Sequence, residues 1–148
     1  MEQIQDYEPI FPEQTVVYGS FWERFCASFL DGLILMIPNF LITYLFTGQI
    51  IGGGLNYGAV LVNTIIGWIY SASLESGVSQ ATLGKRAIGL KVTDIQGQRI
   101  SFGQATGRHF GKLISALILC IGYLMMLGND KHQTLHDKMA GTLVIKSA

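Results

Sequence analysis

The sequence predicts an all-α membrane protein: two spanning helices joined in a hairpin, a third short helical segment that either spans or re-enters, and a small cytoplasmic β element. Three observations predict it. About half of the residues are apolar and only 14% are charged, where an ordinary soluble domain carries roughly 25%. Two apolar runs, residues 25–46 and 55–74, each approach the ~20 residues needed to cross ~30 Å of hydrocarbon. A polar segment rich in Lys and Arg, residues 75–108, follows the second run. The partner these runs demand is the lipid bilayer. Ten basic residues balance ten acidic ones, so no nucleic acid is expected as a partner.

Residues 1–19 form an acidic arm with two of the three prolines and no hydrophobic period, and no fold is assigned to it. There is no basic stretch followed by a short apolar run and a small-residue cleavage site, so the first apolar run is expected to stay in the mature protein. Ser20 and Glu23 stand at capping-box spacing before that run. Pro38 lies inside it. The uncharged "TGQIIGGGLN" makes the far turn, and the second run completes the hairpin.

Residues 75–108 contain Lys85, Arg86, Lys91, Arg99 and Arg108 against Glu75 and Asp94. Lys and Arg near membrane spans mark the cytoplasmic side, which places this loop, and the N-terminus two crossings earlier, in the cytoplasm of a cell bounded by that membrane. Within it, "GLKVTDIQGQRISFG" reads as two short strands around a Gln-Gly turn, and the closing "GTLVIKS" as a third.

The third helical segment covers about residues 102–127, with Ser101 and Gln104 as its capping pair. Its apolar part, Leu113 to Leu127, supplies about 22 Å of helix against roughly 30 Å of hydrocarbon. A segment that enters and returns, bending near Gly122, is favoured over a third crossing. Such backbone must be covered by protein or water. Gly103, Gly107, Gly111 and Ser115 recur every four residues, the spacing that lets helix backbones approach in lipid, within the chain or between copies. The tail, residues 128–148, carries three lysines, which keeps it in the cytoplasm.

Asp31 lies inside the first apolar run, seven residues beyond Arg24. A carboxylate there costs about 2.5–3.5 kcal/mol near a span centre, less toward the end, and should face the bundle interior. Arg24 is about 10 Å away along the axis, so Asp31 needs a partner on another element: Arg108, Lys112 or a hydroxyl. It is either a structural polar clamp or a proton or cation site. Asp137 stands at capping-box spacing from Thr134, before Gly141, or reaches back to Arg24 if the tail folds to that side. His132 and His136 would share a helix face, yet no further ligand spacing accompanies them, and neither a metal nor any cofactor is expected. "GRHFGK" is too short for a phosphate loop, and no nucleophile motif is present, so no enzymatic activity is expected. Cys26 and Cys120 lie in apolar runs and read as packing residues.

"RFCASFLDG", "TLGKRAIGLKV" with "ISFGQA", and "QTLHDKMAGTLVI" occur in that order over Phe21 to Ile145 and resemble the RDD family, small bacterial membrane proteins. The resemblance implies that Arg24, Asp31 and Asp137 are the residues behind the family's name, and assigns 20–148 to one membrane domain in the bacterial inner membrane. Two functions follow as expectations. One is a transporter, or a subunit of one, with proton or cation coupling at the polar cluster Arg24, Asp31 and Asp137. Two or three short segments enclose no substrate path in one copy, so this requires a homo-oligomer or a partner membrane protein. The other is a non-transporting scaffold whose basic loop binds a protein partner or anionic lipid.

Overall fold

The computed structural model describes residues 16–49, 54–117, 125–128 and 132–147. In chain order they form α1 (Phe21–Thr47), α2 (Tyr57–Ser76), α3 (Leu83–Ile88), β1 (Leu90–Asp94), α4 (Phe102–Leu117), a 3-10 turn at Met125–Gly128, α5 (Leu135–Ala140) and β2 (Thr142–Lys146).

The capping box sets the start of α1. Ser20 Oγ accepts from the Glu23 backbone N–H at 3.4 Å, and the Glu23 carboxylate accepts from the Ser20 N–H at 2.9 Å. This begins the helix before the apolar run does. The helix continues through Pro38 and stops where Gly48 turns left-handed at φ 69°, a conformation glycine adopts without penalty. Asn56 Oδ1 caps α2 by accepting from Ala59 N–H at 3.1 Å.

Both helices are long and apolar enough to cross a membrane, and only 11% of the apolar window of each is buried within the protein. Ile37 and Leu45 are 73% and 71% exposed. Apolar surface this continuous finds its solvent in lipid rather than in water, and the fold is that of a membrane protein. The helices run antiparallel. Tyr70 of α2 reaches Asp31 of α1 at one end, and Gly58 lies against the Phe46 ring at the other, where a Cβ would come within 2.8 Å of Cε1.

α3, β1, α4, α5 and β2 gather at the end where α1 starts and α2 finishes. β1 and β2 pair antiparallel from Leu90↔Lys146 to Asp94↔Thr142. The residues just before α1 edge the same sheet, with Gly19 N–H donating to Val144 O at 2.9 Å and Lys146 N–H to Val17 O at 2.8 Å. Ala27, Ala72, Leu90, Val92, Ile100, Ala105 and Val144 form the small core of this head. The approach to α1, the basic loop and the C-terminal strand therefore occupy one end of the hairpin.

One expectation changes, and one falls outside the described residues. Of the two strands expected around the Gln-Gly turn, only β1 forms; the stretch after the turn is not a strand. Asp94 Oδ1 accepts from Gln96 N–H at 2.9 Å and Gln98 N–H at 2.7 Å, closing a local turn. Ile100 then drops into the core, and the Ser101–Gln104 pair starts α4 at once, so β1 takes β2 as its ladder partner. The third segment is helical over Phe102–Leu117, while the expected bend near Gly122 lies outside the described residues.

Candidate functional site

Five helices and one strand meet in a buried ionic network. Asp137 occupies the first turn of α5, where its Oδ2 accepts from the Thr134 N–H at 3.2 Å, and it has no solvent exposure. Its Oδ2 is 2.5 Å from Arg24 Nη1 of α1, and its Oδ1 is held by Arg108 Nη1 of α4. Arg108 also donates through Nε to Glu75 Oε2 of α2 at 3.0 Å and through Nη1 to Thr142 Oγ1 of β2 at 2.6 Å. Glu75 in turn takes Lys85 Nζ of α3 at 2.5 Å, with Lys112 Nζ 3.7 Å away. Arg24 is fixed further by the carbonyls of Gly19 at 3.1 Å and His132 at 2.7 Å. Carboxylates and cations alternate from α1 to α3, so each buried charge has an opposite neighbour.

Burial raises the cost of ionising Asp137, but Arg108 and Arg24 beside it prevail and hold its carboxyl well below the usual carboxylate range. Burial likewise works against the Arg108 charge, and Asp137 and Glu75 overcome it. For Lys85, burial wins despite Glu75 and brings the ammonium down to about 8. Burial pushes His136 down to about 3, so its ring is neutral at physiological pH. Its Nδ1 lies 3.4 Å from Ser115 Oγ and its Nε2 3.0 Å from Thr134 Oγ1.

Asp31 belongs to a second constellation. Its Oδ1 accepts from Tyr70 Oη at 2.7 Å and from Gly84 N–H at 2.8 Å, and its Oδ2 accepts from Thr82 Oγ1 at 2.6 Å. Tyr70 Oη also accepts from the Leu83 N–H at 3.2 Å. One carboxylate thus ties α1 to α2 and to the start of α3. Gly84 sits so close to α1 that a Cβ would overlap the Ala27 carbonyl oxygen. Of the partners expected for Asp31, a hydroxyl is the one found, twice over, while Arg108 and Lys112 are engaged with Glu75. The structure thus joins Arg24 to Asp137 and keeps Asp31 apart.

The four small residues of α4 also divide. At Gly111 a Cβ would meet His136 Cβ at 2.9 Å, so α4 and α5 touch there, and Ser115 is buried beside His136. A Cβ at Gly107 would meet nothing within 4 Å, and one at Gly103 only Ser101 Oγ at 3.8 Å. Residues exactly four apart drift about 40° per step around a helix of 3.6 residues per turn, so the stripe leaves the packed face. That face instead carries Ala105, Arg108, Gly111 and Ser115. His132 precedes α5 with φ 47°, so it shares no helix face with His136. Among the described residues no group of three His, Cys, Asp or Glu side chains is placed to hold a metal ion.

Glu75 and Lys85 are the network members that local reading passes over, the first as a lone acid at a span end, the second as one cation among several. Glu75 did carry a signal. It follows Trp68 and Ala72 at helical spacing on the face of α2 that packs inward.

The family model for the RDD family matches residues 18–141. The uncharacterized protein YxaI of Bacillus subtilis is 31% identical over 146 residues, covering 86% of this chain and 96% of its own. The uncharacterized membrane protein YteJ of the same organism is 28% identical, covering 88% and 82%. The proline-rich antigen of Mycobacterium leprae is 32% identical over 78 residues, 52% of this chain and 31% of that protein. No solved structure matches. With a match that takes in both spanning helices, the basic loop and α5, the chain belongs to the RDD family.

Proposed function

We propose that this RDD protein is a multi-pass scaffold of the bacterial inner membrane, with the head in the cytoplasm, where its basic loop is presented to a protein partner or to anionic lipid. Neither enzymatic chemistry nor transport is part of this reading. The orientation rests on charge: residues 48–56, between the spans, carry none, whereas the head holds Lys85, Arg86, Lys91, Arg99 and Arg108. The name of YteJ, a membrane protein, agrees with the placement in a bilayer.

The observation that carries the scaffold reading is the state of Asp31. Three donors from two other segments already fill its carboxylate, which is what a clamp between α1, α2 and α3 requires. A coupling site would have to release and regain such partners in each cycle. Proton or cation transport through Asp31 is the rival reading, and because two spans enclose no path it needs an oligomer or a partner membrane protein. Flux measurements on purified protein in liposomes separate the two. The scaffold reading expects no proton or monovalent cation flux above empty liposomes; flux abolished by Asp31→Asn would establish transport.

A further inference from the structure

Beside β1 lies a cleft of about 360 Å³ whose lining includes Val78, Ser79, Arg86, Lys91 and Ser147. We propose that this cleft binds the phosphate of an anionic phospholipid, an assignment that rests on the head being a cytoplasmic, membrane-facing scaffold.

Charge balance and shape together single the cleft out. Lys85, Arg108 and Lys112 share Glu75, Arg24 and Arg108 share Asp137, and Lys146 pairs with Glu23 at 2.7 Å. Arg86, Lys91, Arg99 and Lys138 have no carboxylate partner among the described residues; of these, Arg86 and Lys91 line the cleft, and none of the lining residues is acidic. Both cations therefore project an uncompensated positive field into a concave space of the size small ligands occupy. A guanidinium beside an ammonium suits a phosphate, whose oxygens take the fork of the first and the point charge of the second.

Position decides the source of that phosphate. The cleft starts at Val78, two residues past the end of α2 at Ser76, where the spanning helix leaves the hydrocarbon. Val78 is apolar and 90% exposed. A phospholipid would lay its chains against the apolar surface of α2 and Val78 and raise its phosphate between Arg86 and Lys91. A soluble phosphate would use the same two cations without that apolar neighbour.

The test is native mass spectrometry of the full-length protein in neutral detergent, titrated with short-chain phosphatidylglycerol, phosphatidylcholine or inorganic phosphate. Phosphatidylglycerol is expected to bind in preference to phosphatidylcholine. Arg86→Gln and Lys91→Gln should each weaken it about fivefold, while Arg99→Gln, an exposed cation of the same loop outside the cleft, should leave it unchanged. If the double variant binds phosphatidylglycerol as the parent does, lipid binding stands elsewhere on the head and the cleft assignment is overturned. No binding to the parent protein would overturn both the cleft and the lipid-binding form of the scaffold. Inorganic phosphate that binds as tightly as the lipid and displaces it would overturn the lipid as occupant.

Discussion

Arg24 and Asp137 lie 113 residues apart in the chain, and their side chains meet at 2.5 Å. Through this pair the start of the first spanning helix grips α5, and Arg108 extends the grip to α4 and, through Glu75, to α2. Removing one member strands a buried charge, which costs about 3–5 kcal/mol.

Asp137→Asn should therefore lower unfolding stability in detergent by about 3–5 kcal/mol, because Arg24 and Arg108 lose their shared counter-charge. Combining it with Arg24→Met should cost less than the sum of the two single changes, a coupling of roughly 0.5–3 kcal/mol. The same cycle between Arg24 and Asp31, which have separate partners, should come out close to additive. Chemical denaturation of the four variants of each cycle checks both statements.

Tyr70→Phe should cost about 1–2 kcal/mol, since it removes a donor to Asp31 and an acceptor for the Leu83 N–H together. Thr82→Val should act in the same direction through the other carboxylate oxygen, and the pair should be non-additive. Hydrogen exchange at α3 is the local readout: faster exchange confined to α3 is expected, and unchanged exchange in both variants would remove Asp31 from the docking of that helix.

At Gly111 an added side chain meets backbone as well as side-chain atoms of α5, the His136 Cα lying 3.3 Å from the new Cβ. Gly111→Leu should destabilise by about 1–3 kcal/mol. Gly107 offers open space, so Gly107→Ala should be neutral or gain up to ~1 kcal/mol from helix propensity. Thermal unfolding in detergent distinguishes the two, and equal losses at both positions would place Gly107 in a contact between copies.

His136 supplies the pH dependence. In the unfolded chain it protonates near 6.5, whereas in the folded head burial delays protonation to about 3, with Arg108, Lys112 and Lys85 opposing the charge and Asp137 favouring it. The folded state thus binds fewer protons between these values, and stability falls as pH drops from about 6.5 toward 3. Asp137, held well below its ordinary range, adds a further loss below that, as its carboxylate protonates. His136→Gln should flatten the upper part of the profile, by an amount on the order of a few kcal/mol, and leave the acid end unchanged.

The spans, the caps of α1 and α4 and the family were legible in the sequence because each is written locally: an apolar run of sufficient length, Ser20 with Glu23, Ser101 with Gln104. Partners were legible only where few alternatives existed, as for Arg24 and Asp137 once the tail was folded back. Asp31 was readable as an acid needing a partner, but the choice among Arg108, Lys112 and a hydroxyl depends on where α3 docks, and that follows from the absent Cβ of Gly84. Glu75 and Lys85 are ten residues apart with a turn and a helix start between them, so neither periodicity nor spacing marks them as a pair. Within the chain the stripe leaves the packed face at Gly107, because a fixed spacing of four does not track one helix face.

The most direct test of the architecture is the side of the membrane on which the C-terminal strand lies. β2 is bonded both to the approach to α1 and to β1 of the basic loop, so all three must share one side, which the proposed orientation puts in the cytoplasm. Reporters fused after Ala148 and inserted at the Gln96–Gly97 turn should both be active only as cytoplasmic fusions in intact cells. A C-terminal reporter active on the opposite side from the loop reporter would contradict the head as a single unit and restore a third crossing between α4 and β2.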